Sequence, residues 1–272
     1  MSNTAQQIRA GRFRALHAAG GAVLILPNVW DAVSARLMQQ CGAAAIATTS
    51  GGVSWAHGYA DGGALPMAAH LATVREIARV VQLPLTVDME DGYASDAATA
   101  AANAAAFIAA GAVGINIEDG AAAPELLAAK IAAIRETAAG MGVDLFINAR
   151  TDVYLRALVA PELQAAETIA RAELYRRAGA DGLFVPGLAD LETVRRVAAA
   201  VAMPLNVMAL PGIANAQQLS AHGACRVSVG VALLQAALAN VAALASEVLA
   251  TGSFDGLFVQ ALGYGEVNAL LA

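Results

Sequence analysis

The sequence predicts an α/β fold of the (β/α)₈ barrel type, and three observations carry that prediction. Short apolar runs rich in strand-forming residues alternate with longer segments of helical period, eight times along 272 residues. The runs are apolar on both faces, as the strands of a parallel sheet covered by helices must be. Several helical segments close on a glycine just before the next run, at Gly42, Gly111, Gly142 and Gly223. An open doubly wound sheet is the competing architecture, but no GxGxxG follows the first run. No linker-like stretch divides the chain, so residues 1–272 are expected to form a single barrel domain.

The leading segment MSNTAQQIRAGRFRALHAAGG carries Arg9, Arg12 and Arg14 without an uninterrupted apolar core, and reads as a leading helix rather than a secretory signal. Strands are expected over AVLIL (22–26), AAIATT (44–49), PLTVDM (84–89) and VGINIE (113–118). Four more are expected over DLFINA (144–149), GLFVPG (182–187), LNVMAL (205–210) and RVSVG (226–230). DAVSARLMQQCG, AAHLATVREIARVV, AATAAANAAAFIAAG and AETIARAELYRRAGA supply intervening helices. Residues from about 232 to 272 are expected to be helical, ending in an amphipathic extension beyond the barrel that serves subunit contacts.

Composition narrows the function. A net charge of −6 argues against nucleic acid as the main partner, because phosphate binding needs a basic surface. Charged or polar residues interrupt every apolar run, so no segment is expected to cross a membrane. Cys41 and Cys225 are too few and too isolated for a disulfide framework or a zinc site. Each is expected to fill a small buried volume in a reducing cytoplasm.

In a (β/α)₈ barrel the active site lies at the C-terminal ends of the strands. The polar residues of this chain gather there. The first run ends in Asn28, Trp30 and Asp31, and the second in Thr48, Thr49, Ser50, Gly51 and Gly52. The third ends in Asp88 and Glu90, the fourth in Asn116, Glu118 and Asp119, and the fifth in Asn148, Arg150 and Asp152. Asn206 lies on the seventh, Arg226 and Ser228 on the eighth. Strand alternation puts Asp88 and Glu90 on one face, where Glu118 would meet them. Three carboxylates sharing a lumen must protonate or bind a cation, and hard oxygen ligands favour Mg²⁺ or Mn²⁺. The plainer alternative makes Asp91 and Gly92 a turn and Glu90 a solvated side chain. Ser50-Gly51-Gly52 offers unobstructed N–H groups to an anionic oxygen, unless it is an ordinary turn. Arg150 needs either an anionic ligand or a salt bridge to Glu118 or Asp152. The Gly-rich loop SGGVSWAHGYADGG could cover the rim and bring Asp61 to the metal. His57 within it reads as exposed, and His17, His70 and His222 as structural helix residues.

These motifs together, PNVWDAVSARL (27–37), TTSGG (48–52), VDMEDGY (87–93), INIEDG (115–120), INARTD (147–152) and RVSVG (226–230), resemble the isocitrate lyase/phosphoenolpyruvate mutase superfamily over nearly the full length. The resemblance implies a Mg²⁺-dependent barrel acting on small 2-oxo acids or their phosphonate relatives through an enolate of pyruvate. It implies Asp88 as direct metal ligand, with Asp61, Glu90 and Glu118 holding the metal's waters. The backbone of Ser50 and Gly51 would take the substrate carboxylate, Arg150 would clamp it, Trp30 would line the pocket and Asn206 would lie near the substrate. It also implies homo-oligomers, dimers or tetramers, with the last barrel helix exchanged between paired subunits.

The chain departs from the family after the fourth run. Lyases of the superfamily carry a KKCGH-type loop there, and phosphonomutases an EDK followed by a gate bearing lysine and asparagine. This chain reads EDGAAAPELLAAKIAAIRE, with neither cysteine nor histidine and with Gly120 in place of the lysine. The expected activity is therefore a metal-assisted carbon–carbon lyase reaction needing no protein nucleophile, such as oxaloacetate decarboxylation. Phosphorus–carbon chemistry of the phosphonomutase or phosphonopyruvate hydrolase kind, and binding of a 2-oxo acid without turnover, are the alternatives.

Overall fold

The computed structural model describes residues 3–18 and 22–272. Thus the first and last residues of the leading segment, 1–2 and 19–21, lie outside the described residues. Helix α1 (Asn3–Ala15) comes first, followed by strands β1 (Leu24–Leu26) and β2 (Asn28–Val29) and helix α2 (Ala32–Gln40). Then come β3 (Ile46–Thr48), α3 (Ser50–Ala56), α4 (Met67–Val80), β4 (Leu85–Asp88), α5 (Ala97–Ala109) and β5 (Gly114–Glu118). After α6 (Pro124–Gly140), β6 (Phe146–Arg150), α7 (Gln164–Ala178), β7 (Gly182–Val185) and α8 (Leu191–Ala200) come β8 (Leu205–Met208), α9 (Ala216–Ala221) and β9 (Ala224–Ser228). Helices α10 (Ala232–Thr251) and α11 (Tyr264–Leu271) complete the chain.

Every strand pairing is parallel, in the order β1-β9-β8-β7-β6-β5-β4-β3-β2. The two ends of that order, β1 and β2, are halves of one stretch of chain interrupted only by Pro27. Proline has no N–H to donate, so the stretch changes partners there. Leu24 to Leu26 pair with Arg226 to Ser228, while Asn28 and Val29 pair with Ala47 and Thr48. The Asn28 side chain closes the seam: its Oδ1 accepts from the N–H groups of Val229 and Gly230, and its Nδ2 donates to the Thr48 carbonyl. The barrel predicted from eight apolar runs is thus formed, with its first run divided. The glycines at 42, 111, 142 and 223 all take positive φ, as helix-closing residues should.

The main core lies between sheet and helices, with Val74, Ile77, Phe107, Ile131, Ile134 and Val194 packed on the outward faces of the strands. A second core fills the lower lumen. It joins Ala10 and Phe13 of α1 to Leu24, Leu26, Ala45, Ala47 and Phe146. Here α1 plugs the N-terminal mouth: Phe13 sits edge-on to Phe146 at 5.5 Å, and His17 stacks on Phe146 at 4.1 Å. A Cβ on Gly114 would come within 2.7 Å of the Phe13 ring, so only glycine lets the plug seat.

Three expectations are corrected. Cys41 is exposed at the end of α2 and Cys225 is half-buried, so neither fills a buried volume. The Gly-rich loop is partly helical, because Thr49 caps α3 and His57 ends it. The α10 segment is long and apolar enough to cross a membrane, contrary to the expectation that polar residues break every run. Only Gln235, Asn240, Ser246, Glu247 and the terminal Thr251 interrupt its apolar and small residues, too few to lower its mean hydropathy below 1.6. Almost none of it is buried, and Leu238, Val241 and Leu249 stand exposed.

Candidate active site

Above the aromatic plug the lumen turns polar. Asn148 Nδ2 donates to Asn116 Oδ1 on the adjacent strand at 2.9 Å. Arg226 Nη2 reaches the same oxygen at 3.2 Å from β9, a strand that does not neighbour β5, so this bond crosses the barrel interior. Arg226 is wholly buried, and its Nε donates to Ser228 Oγ at 3.3 Å. Burial holds its pKa down at about 9 despite the opposing field of Asp88. Asn206 and Ser228 bond each other at 3.1 Å. Asn206 therefore belongs to this inner layer, below the rim where the carboxylates lie.

Asp88 ends β4 at the top of that layer. Its backbone N–H donates to Thr48 Oγ1 at 2.9 Å. Its Oδ2 accepts from Ser50 Oγ at 2.9 Å and Ser50 N at 3.2 Å. Its Oδ1 is buried and has no partner. A buried, unpaired carboxylate oxygen is costly unless a cation or donor meets it.

The remaining acids approach Asp88 from two loops, carrying Asp61 and Glu90, and from the end of β5, carrying Glu118. β4 stops at Asp88, and Glu90 adopts φ +50°, so strand alternation does not set its direction as expected. It is nevertheless buried rather than solvated. Burial, then Asp88 and Asp61, push its pKa up to about 7. Asp61 comes from the turn after α3, and a Cβ on Gly51 would approach its Oδ2 within 2.9 Å. Glycine at 51 is what admits that carboxylate. Glu118 lies opposite Arg150 in the β5–β6 register and is bridged by Arg150 Nη1 at 2.6 Å. Burial raises the Glu118 pKa against the pull of Arg150, and Asp88, Asp152 and Glu90 add to the rise. Among the described residues no three acid, histidine or cysteine side chains close into a cage around one ion.

Arg150 takes both salt bridges that the sequence left as alternatives. Besides Glu118, it meets Asp152 through Nε at 2.7 Å and Nη2 at 3.1 Å. Burial opposes its charge, but Glu118 and Asp152 outweigh burial and raise its pKa. Asp152, fully buried, is held in turn by Arg156 at 2.8 Å. The Ser50–Gly52 segment is the first turn of α3. Ser50 N–H faces Asp88 and Gly52 N–H faces Thr49 Oγ1 at 3.5 Å, leaving Gly51 N–H without such a partner. Trp30 is half-buried beside Gly52.

Sequence reasoning missed the chain of groups beneath Glu90. His70 bonds Thr48 Oγ1 through Nε2 at 3.3 Å and Tyr93 OH through Nδ1 at 2.7 Å, and Tyr93 OH donates to Glu90 at 3.4 Å. Burial holds His70 down at about 4, so it is neutral near pH 7. Its place on a helix gave no sign of this. Tyr93, lying inside VDMEDGY, was the one available signal.

Acids and arginines gather at the C-terminal rim of the (β/α)₈ barrel, the end where such folds carry their active sites, and comparison with known proteins identifies the family. The family model described as phosphoenolpyruvate phosphomutase matches residues 13–249. An uncharacterised Mycobacterium tuberculosis protein, Rv1998c, is 36% identical over 251 residues, covering 92% of this chain and 93% of its own. The Escherichia coli 2-methylisocitrate lyase is 34% identical over 181 residues, 64% of this chain and 61% of the lyase. Among solved structures, a Burkholderia cenocepacia protein with a provisional phosphonomutase name is 39% identical at TM-score 0.85, covering 89% of this chain and 99% of that one. The chain belongs to the phosphoenolpyruvate mutase family, within the isocitrate lyase/phosphoenolpyruvate mutase superfamily of lyases and mutases.

Proposed function

We propose that this enzyme is a Mg²⁺-dependent carbon–carbon lyase acting on a small 2-oxo acid, with oxaloacetate decarboxylation as the simplest case and Mn²⁺ as a substitute ion. The observation that carries the reading is Asp88, whose buried Oδ1 lacks a partner among acids that burial and mutual repulsion disturb. Such a donor set fits a hard divalent cation, with Asp88 as direct ligand and Asp61, Glu90 and Glu118 reaching its waters. When bound, the ion supplies a Lewis acid that stabilises negative charge on the 2-oxygen of the substrate.

The chain's own residues do the rest. Gly51 N–H, with Ser50 beside it, receives the substrate carboxylate. Arg150, immobilised by Glu118 and Asp152, gives that anion a fixed guanidinium and needs no reorganisation as charge develops. Trp30 walls the entrance, and Asn206 supports the inner layer through Ser228. In the decarboxylation the C3–C4 bond breaks, carbon dioxide leaves, and the electron pair delocalises onto the 2-oxygen until C3 takes a proton. No nucleophilic side chain is required, consistent with the Gly120-Ala121-Ala122 turn where relatives of the superfamily carry reactive groups.

To test this, pyruvate release from oxaloacetate would be followed against a protein-free control containing the same Mg²⁺. Release above that control, abolished by chelation and by Asp88→Ala, is expected. Release that survives either change refutes the assignment. The 39%-identical structure with a phosphonomutase name supports a second reading, cleavage of a phosphorus–carbon bond. Phosphorus NMR on phosphonopyruvate separates the two, since only the second predicts a change in the phosphorus signal.

We also infer that the bare apolar face of α10, with Phe254 and Phe258 beyond it, is covered by further copies of the chain in a dimer or tetramer. This assignment suits a cytoplasmic enzyme better than a membrane span. Light scattering of Val241→Glu should give a smaller particle than the wild-type chain.

A further inference from the structure

Arg226 is wholly buried, yet every group it bonds is neutral: Nε donates to Ser228 Oγ and Nη2 to Asn116 Oδ1, while its buried Nη1 has no partner. Two other enclosed arginines meet acids instead. Arg150 is bridged to Glu118 and Asp152, and Arg171 to Asp119 and Glu167. A buried cation with no carboxylate against it costs folding free energy, and an apolar side chain of similar length would fill the same volume without that cost. A brace between strands needs no charge either, as the neutral bond between Asn148 and Asn116 shows in the same layer.

The charge has a target beside it. Asn116, which receives the guanidinium, is the register partner of Asp88 across β4 and β5. Two groups of opposite charge, each with a buried atom lacking a partner, are thereby brought to adjoining strands. Asp88 is the acid whose field reaches Arg226, and a pKa of about 9 leaves the guanidinium charged at neutral pH. Among the described residues no salt bridge joins the pair, so Asp88 Oδ1 stays open to another cation. The arginine acts on it through the protein interior, where charges are felt strongly and salt screens them little.

Resting on the metal and 2-oxo acid reading above, we propose that Arg226 is a positioning residue that weakens the hold of Asp88 on a bare divalent ion and strengthens the hold on an anionic substrate, so that the two are retained as a pair. Its field opposes a dication and favours a dianion to a similar extent, and a pair whose charges cancel is nearly indifferent to it. Without that opposing charge, the acids at the rim would collect a divalent ion with no substrate present.

The experiment is calorimetric titration of the full chain, first with Mg²⁺ alone and then with oxalate at saturating Mg²⁺, in the wild type, Arg226→Met and Arg226→Lys. Arg226→Met should bind Mg²⁺ alone about tenfold more tightly and oxalate about tenfold more weakly, with the product of the two association constants preserved. Arg226→Lys keeps the charge and should return both constants toward the wild type. Opposite shifts of this kind are not expected of a brace, whose loss would weaken both. Arg226→Gln repeats the test should Arg226→Met not fold, and failure of both to fold would make Arg226 part of the scaffold and overturn the proposal. Weaker binding of both ligands in the neutral variant, or no change in either, overturns the role of Arg226 and leaves the metal and oxo acid reading standing. Failure of the wild type to bind Mg²⁺ and oxalate overturns that reading and this inference with it.

Discussion

At the N-terminal mouth of the barrel, Arg14 bridges Asp144 at 2.7 Å and Asp181 at 2.9 Å, and Arg135 bonds Asp181 from the other side. Beneath these pairs, Phe13, His17 and Phe146 close the lumen. At the C-terminal mouth, Asp61, Asp88, Glu90 and Glu118 gather around the rim, and among the described residues only Glu118 of these four has an arginine in salt-bridge contact. One Asp88 oxygen has no partner, and Glu90 and Tyr93 both sit at positive φ. The same chemical groups occur at both ends. Below, opposite charges are matched and apolar rings fill the space, an arrangement that stabilises the fold. Above, like charges converge, an arrangement that costs stability and that the proposed cation would relieve.

Asp88→Ala tests the upper mouth most severely. Turnover should fall by at least about a hundredfold, while the melting temperature of the metal-free chain holds or rises because a repelling charge is gone. Steady-state rates with a thermal melt on the same sample give both numbers, and a large loss of stability would mean that Asp88 belongs to the scaffold. The mirror-image change is Phe13→Ala. Emptying the plug should remove about 3–5 kcal/mol of folding free energy, measured by urea unfolding, with metal affinity of the folded molecules unchanged.

The two mouths should also respond to pH with opposite signs. Burial, with Arg226 and Arg14 adding, lowers His17 to about 4, below its ordinary 6.5. Its contribution is therefore complete above pH 6.5 and is lost as pH falls through about 4. Glu90 is raised to about 7 from 4.5, so its contribution is complete below pH 4.5 and is lost as pH rises through about 7. In metal-free protein, His17→Gln should flatten the acid limb of the stability profile and Glu90→Gln the alkaline limb. Urea midpoints across pH 4 to 8 would expose any reversal of those roles. The smallest effect belongs to the lower ion network: Arg14→Ala, partly solvent-exposed, should cost about 1 kcal/mol or less, and less again in high salt.

Much of this contrast is legible in the amino-acid order alone. Apolar runs alternating with helical period imply the barrel, and the polar residues closing each run put Asp88, Glu118 and Arg150 at one rim. Alternation cannot say where a strand stops, so the left-handed turn at Glu90 was invisible, as was the exchange of partners at Pro27. The wholly buried Arg226 reads in sequence only as a strand residue, because burial of a charge depends on groups such as Asn116 that lie 110 positions away. The plug by α1 was equally hidden, since arginines in a leading helix read as surface residues until Asp144 and Asp181 are brought beside them. The clustered acids were visible, but the chain of Thr48, His70 and Tyr93 beneath Glu90 required side-chain positions.

The central claim is that Asp88 holds a divalent ion together with a small oxo acid, and calorimetric titration of Mg²⁺ in the presence of oxalate tests it most directly. The wild-type chain should bind one ion per subunit, and Asp88→Asn should lose that binding while melting as a folded protein. Equal Mg²⁺ affinity in the wild type and Asp88→Asn, or no binding in either, would contradict the account.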